Sequence, residues 1–183
     1  MAKQFPALGA DHQSFIKAQH MFFVGSAAPT GRVNISPKGM DSLRILSENR
    51  ILWLNVTGSG NETAGHLLED ARLTLMWCSF ERRPLILRAY GTARMIHAGE
   101  PGWDDHLARF TPIPGARQIC DMAIEMVQTS CGYAVPFMDF AGERDTLRHW
   151  AEDRGEDGLR AYWAEKNATT LDGRPTRPDT TLA

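Results

Sequence analysis

A chain of 183 residues with 43% hydrophobic and 23% charged residues has the size and composition of one globular domain with a core of its own. Its formal net charge of −2 supplies no overall field toward nucleic acid or an anionic membrane, and neither is expected as a partner. No apolar run approaches the ~20 residues of a membrane-spanning helix, and the opening Met1-Ala2-Lys3-Gln4-Phe5-Pro6 lacks the apolar stretch of a signal peptide, so the expected location is the cytoplasm. Cys78, Cys120 and Cys131 are widely spaced and fit reduced thiols, and without CxxC or HExxH patterns no metal site is expected.

Asp11 is placed to cap a short helix over residues 12–20, with Phe15 and Ala18 on one side. The period then changes. Met21-Phe22-Phe23-Val24-Gly25 reads as a buried strand, and Arg32-Val33-Asn34-Ile35-Ser36 alternates as a half-buried one that Pro37 and Gly39 end. Leu43-Arg44-Ile45-Leu46 and the run Ile51 to Val56 flank Ser47-Glu48-Asn49-Arg50, a hairpin connection. A short helix over 62–69 precedes a strand from Arg72 to Cys78. Phe80-Glu81-Arg82-Arg83-Pro84 then turns the chain, with its charges in solvent. A long strand follows from Leu85 to Met95, and Gly91 within it signals a bulge or bend. Residues 101–110 read as helix and Gln118 to Thr129 as a strand with Cys120, Met122, Ile124 and Met126 on one side. Two helices are expected at 142–153 and 156–166. The pattern predicts a mainly β protein with appended helices (α+β), its short turns favouring an antiparallel sheet closed into a barrel. It forms one domain over residues 1–166, followed by a polar extended tail over 167–183.

Residues 57–66, Thr-Gly-Ser-Gly-Asn-Glu-Thr-Ala-Gly-His, follow the apolar run Ile51-Leu52-Trp53-Leu54. Two accounts of them compete. Ser59-x-x-Glu62 fits a helix capping box, which needs no ligand. Gly58 and Gly60 around Ser59 fit instead a concave set of backbone amides at a positive helix end, an anion site to which Thr57, Ser59, Asn61 and Thr63 add donors. The spacing is neither that of a Walker loop nor that of a dinucleotide fingerprint. A phosphate there would want a cation. The nearest candidate is Lys38 in Val33-Asn34-Ile35-Ser36-Pro37-Lys38-Gly39, if both strands wrap one barrel; otherwise Lys38 is a solvated turn lysine.

The strings VNISPKG at 33–39, ILWLNVTGSGNETAGHL at 51–67 and RLTLMWCSFERRPLILRAYGTARMI at 72–96 resemble, in order and spacing, the FMN-binding split-barrel proteins related to pyridoxamine 5′-phosphate oxidase, with SCGYAVP at 130–136 as a continuation. The resemblance implies a six-stranded antiparallel split β-barrel of FMN-binding type, a homodimer, and FMN at the dimer interface. It places Asn34, Ile35 and Ser36 along the flavin and Lys38 near the phosphate end or the substrate. Val56 and Thr57 would lie beside the ribityl chain, and Asn61, Glu62 and Thr63 at the phosphate. Ile86 and Arg88 would come from the long strand, and Thr129-Ser130 would reach over from the partner subunit. The oxidase carries Ser-Arg-Lys where this chain has Asn61-Glu62-Thr63, so phosphate binding here is expected to rest on amides, hydroxyls and Lys38. It also ends in a basic Arg-Leu-x-Pro-type tail. This chain ends LDGRPTRPDTTLA, and a substrate other than pyridoxamine phosphate is expected.

The function so implied is that of an FMN-dependent oxidoreductase acting on a small organic substrate, with a nicotinamide cofactor or oxygen as redox partner. In such chemistry the cofactor carries the hydride, and no residue is marked catalytic by the sequence. The alternatives are a non-catalytic flavin reservoir or sensor, or a split barrel that holds deazaflavin or haem. Other residues read structurally: His66 as a hydrogen-bonded helix histidine, Trp53 and Trp77 as core or interface, Met122 and Met126 as core, and Cys131 as a small residue at a strand end.

Overall fold

The computed structural model describes residues 2–178. In chain order its elements are β1 (Lys3–Phe5), α1 (Ala10–Ala18), β2 (Phe22–Ser26), β3 (Asn34–Lys38), β4 (Leu43–Ser47), β5 (Arg50–Val56), α2 (Glu62–Glu69), β6 (Arg72–Cys78), β7 (Ile86–His97), α3 (Trp103–Leu107), β8 (Ala116–Ser130) and α4 (Thr146–Lys166). The strands form one antiparallel sheet in the order β3-β2-β6-β7-β8-β5-β4, with β1 on β8. Among the described residues no helix is long and apolar enough to cross a membrane.

The sheet has eight strands where six were expected, because β8 is 15 residues long. One edge of β8 pairs with β7. The other takes β5 at Ala116–Ala123 and still leaves Val127–Thr129 for β1. A three-residue strand is too short to show a period.

The sheet curls around a core. β2 and β5 stand four places apart in the strand order, yet Phe22 and Val24 share one buried cluster with Ile51 and Trp53. The Phe22 and Trp53 rings meet edge to face, 6.3 Å between centroids. A second, smaller cluster of Leu52, Leu54 and Ile119 with Ile96, Phe110 and Ile113 covers the opposite face of β5. Both faces of β5 are therefore buried, which is why Ile51-Leu52-Trp53-Leu54 shows no alternation.

The expected irregularity at Gly91 is a bulge. Tyr90 pairs with Met126 and Gly91 with Ile124, leaving Glu125 as the extra residue on β8. A Cβ on Gly91 would lie 1.9 Å from the Ala123 carbonyl oxygen. The inserted residue reverses the side-chain order, so beyond it Val127 faces the core and Met126, expected inside, does not.

Several boundaries move for local reasons. β3 runs through Pro37, which was expected to end it; β3 is the edge of the sheet, where a residue without an N–H is tolerated. α1 is capped by Gly9 rather than Asp11, with the Gly9 N–H donating to His12 Nδ1 at 3.1 Å. The helix expected over 101–110 contracts to α3. α4 starts later than expected and breaks at Gly155 (φ 64°, ψ 177°), giving two helical halves.

The segment after α4 is not an extended tail. Residues 167–176 fold into a turn closed by the Thr170 N–H on the Arg174 carbonyl (2.8 Å) and the Gly173 N–H on the Thr170 carbonyl (2.9 Å). Asn167, Thr170 and Thr176 are buried. Arg174 pairs with Glu69 of α2, and Asp172 with Arg32. Gly65 of α2 makes room, since a Cβ there would come 2.3 Å from the Thr170 methyl. Residues 179–183 of the expected tail lie outside the described residues.

Gly91→Val should lower stability by about 1–3 kcal/mol or more, because the new side chain meets backbone that cannot move aside. Urea denaturation should show a lower midpoint with an unchanged slope. An unchanged midpoint would mean that the bulge does not require glycine.

Candidate functional site

Loop 57–61, the first turn of α2 and the facing side of β3 enclose a cavity of about 380 Å³. Strand alternation decides which residues of β3 reach it. Asn34, Ser36 and Lys38 line the cavity, whereas Ile35 points the other way and is 70% exposed. The floor includes Trp53 and Asn55 of β5.

The Lys38 ammonium sits 4.9 Å from the centroid of the Trp53 ring. Burial, and then repulsion from Arg117, lower its pKa from 10.5 to about 8. It is not a solvated turn lysine. Arg117 of β8 brings a second cation to the same cavity. Its guanidinium donates to the Gly60 carbonyl (2.9 Å) and to Asn167 Oδ1, and its Nε has no partner. Burial lowers its pKa to about 10. Neither charge is ion-paired with a carboxylate among the described residues.

Glu62 is the one acid among the described lining residues. Both of its oxygens accept the Leu171 N–H, at 3.1 Å each. The capping box is therefore absent: Asn61 occupies the N-cap, without a side-chain cap bond, and Glu62 turns to the C-terminal turn instead of back to residue 59. Neither Gly58 nor Gly60 has a positive φ. Their carbonyls are drawn outward instead, Gly58 accepting from Asn167 Nδ2 (3.1 Å) and Gly60 from Arg117. The loop amides from Gly58 to Asn61 meet no backbone carbonyl among the described residues, and they stand at the positive end of α2.

Thr63 Oγ1 accepts from Ser26 Oγ (3.2 Å) and Asn34 Nδ2 (3.3 Å), and Ser26 Oγ lies 3.0 Å from His66 Nδ1. This buried chain fixes the Asn34 amide at the cavity wall and accounts for His66 structurally. Two acceptors remain unpartnered, Asn55 Oδ1 and Asn61 Oδ1.

Of the expected site residues, Asn34, Ser36, Lys38, Asn61, Glu62 and Thr63 are brought together. Val56 packs against the second core cluster. Thr57 is buried, its hydroxyl donating to the Gly115 carbonyl (2.7 Å) and accepting from Trp163 Nε1 (2.8 Å). Arg88 and Ser130 bond each other at 3.2 Å, outside this cavity's lining. Sequence reasoning missed Asn55, Arg117 and Asn167. A polar residue inside the apolar run was a usable signal for Asn55. Arg117 stands in no motif, and Asn167 falls in the segment read as a tail.

The family model for pyridoxamine 5′-phosphate oxidase matches residues 8–131. The chain belongs to the pyridoxamine 5′-phosphate oxidase family. It is 34% identical to the pyridoxamine 5′-phosphate oxidase family protein ustO of Aspergillus flavus, over 93% of this chain and 76% of that one. Among solved structures it is similar to a HupZ variant from Group A Streptococcus, with a TM-score of 0.53 and 17% identity over 67% of this chain and 99% of that one. A second is the FAD binding protein from Mycobacterium smegmatis, with a TM-score of 0.50 and 9% identity over 69% and 97%. At such identities these structures speak for the fold alone. The family match stops at residue 131, so α4 and the 167–176 turn lie beyond it.

Lys38 couples the site to pH. Between about 8 and 10.5 the unfolded chain binds more protons than the folded one, so this group costs stability below pH 8 and releases that cost as pH rises toward 10.5. In the ligand-free protein, Lys38→Met should raise the melting temperature near neutral pH by a few degrees, on the order of 2–6 °C, and flatten the rise above pH 8. Thermal scans on either side of that pH check both effects; identical profiles for the two proteins would count against a desolvated ammonium.

Proposed function

We propose that this cavity binds FMN and that the protein is a cytoplasmic FMN-dependent oxidoreductase acting on a small organic substrate. The observation that carries the reading is a convergence: the strand that the family resemblance assigns to the flavin and the loop it assigns to the phosphate face one cavity. The donor set fits such a ligand. Lys38 and the free loop amides suit a phosphate, while the unpartnered oxygens of Asn55 and Asn61 need donors, which ribityl hydroxyls or a ring N–H supply and a bare anion does not.

Bound FMN supplies hydride transfer; the protein supplies binding, orientation and electrostatics. Asn34, held by Thr63, and Ser36 present polar groups along β3. Trp53 forms part of the floor and lies against the Lys38 ammonium, 4.9 Å from ring centroid to nitrogen. Lys38 holds its proton at neutral pH and offers that charge to the phosphate or the substrate. A nicotinamide cofactor or oxygen completes the redox cycle.

The assembly we propose is a homodimer. Trp53 and Trp77 do not argue for it, since both are buried within one chain. Val33 and Ile35 at β3, with Tyr133, Phe137 and Met138 after β8, leave large apolar groups on the surface that a second copy would cover.

The purified protein should take up FMN, show the visible flavin band, and prefer FMN to riboflavin by roughly 10–100-fold, the value of a charge-assisted phosphate contact. Anaerobic NADH or NADPH should bleach that band, which a reservoir protein would not allow, and sedimentation should give twice the chain mass. Equal affinity for FMN and riboflavin would remove the phosphate from this cavity. A protein that takes up neither flavin, or shows a haem spectrum, would end the flavin reading.

A further inference from the structure

We propose that Arg117 is the second phosphate-binding cation of this site, standing in for cations that the chain lacks at positions 62 and 63, and that the turn centred on Asn167 holds it in place. The proposal deepens the flavin reading and needs from it only that the ligand carries a phosphate monoester.

The argument begins with the cost of Arg117. A guanidinium only 9% exposed, with neutral oxygens as its partners and one nitrogen unpartnered, keeps its whole charge. A second positive group, Lys38, lines the same cavity and repels it. Two like charges face one cavity, and Glu62, the one acid among its described lining residues, is ion-paired with neither, so a compact dianion completes the arrangement. Arginine at such a place also offers a planar fork that lysine does not.

Asn167 is the residue that keeps this fork aimed. Its Oδ1 accepts from Arg117 without neutralising it, as an aspartate would. Its Nδ2 holds the Gly58 carbonyl at 3.1 Å. Its own carbonyl accepts from Thr176 Oγ1 (2.7 Å) and Asn61 Nδ2 (3.4 Å). One residue thus ties the guanidinium to the glycine loop through its side chain and to the cap of α2 through its backbone carbonyl. A few residues on, the Leu171 N–H donates to both oxygens of Glu62 and orients the one acid among the described lining residues. Asn167 is a positioning residue; Arg117 and Lys38 are the ligand-facing charges.

The full-length protein, Arg117→Met and Asn167→Asp are compared for FMN affinity, riboflavin affinity, and the rise in melting temperature that inorganic phosphate produces. Arg117→Met should lose roughly 10–100-fold in FMN affinity and hold riboflavin as before. Asn167→Asp pairs the Arg117 charge but gives up the Nδ2 donor to the Gly58 carbonyl, so FMN affinity should fall by more than riboflavin affinity and the preference for FMN should shrink. A merely structural Asn167 would lower both affinities together and leave their ratio intact, which overturns its assigned role. An undiminished FMN preference in Arg117→Met overturns the proposal. If Arg117→Met does not fold, Asn167→Asp decides. If the wild type binds neither flavin but is stabilised by phosphate, and Arg117→Met is not, the flavin reading fails and Arg117 stands. If phosphate protects neither protein and no flavin binds, both fail.

Discussion

The Lys38 ammonium and the Arg117 guanidinium face one cavity with no carboxylate ion-paired to either, and much of the surrounding structure follows from holding them there. Charges withdrawn from water must be given polar partners or a counter-ion. Arg117 receives neutral oxygens from Gly60 and Asn167, which satisfy two of its donors and leave its field intact. Lys38 receives the face of Trp53, a contact that tolerates a cation without consuming its charge. The one nearby acid is engaged with a backbone N–H rather than with either cation.

Bringing these groups together is the work of the curled sheet. β3 and β5 are distant in the strand order, and a flat sheet would keep Lys38 far from Trp53. Closure of β2 toward β5, sealed by Phe22 against Trp53, carries the edge strand over the end of β5. Trp53 therefore serves both the core and the cavity. The bulge of Glu125 opposite Gly91 belongs to the same geometry, since an inserted residue increases local twist and lets long strands bend around a core.

The segment after β8 braces the loop that lines the cavity. The family model ends at residue 131, while Trp163, Asn167 and Leu171, each in contact with the glycine loop or the start of α2, come later. Positions 62 and 63 are here a glutamate that accepts from the Leu171 N–H and a threonine that braces Asn34.

Local chemistry was readable from the chain. The continuous apolar run at 51–54, the β4–β5 hairpin, the extent of α2, the irregularity at Gly91 and the break near residue 155 each follow from residues close together in sequence, because period, turn preference and glycine freedom act over a few positions. The family resemblance pointed to the β3 strand and the glycine loop, and six of the residues it named line one cavity. Tertiary structure decided the rest. Ser59-x-x-Glu62 satisfies the capping pattern, but Leu171 competes for the Glu62 carboxylate from 109 residues away. β1 depends on the spare end of β8, and Val127 replaces Met126 in the core because one residue was inserted two positions earlier. Arg117 meets Asn167 across 50 residues and Gly60 across 57. No local pattern encodes such pairs; their partners are chosen by which surfaces the curled sheet and the folded-back turn bury against each other.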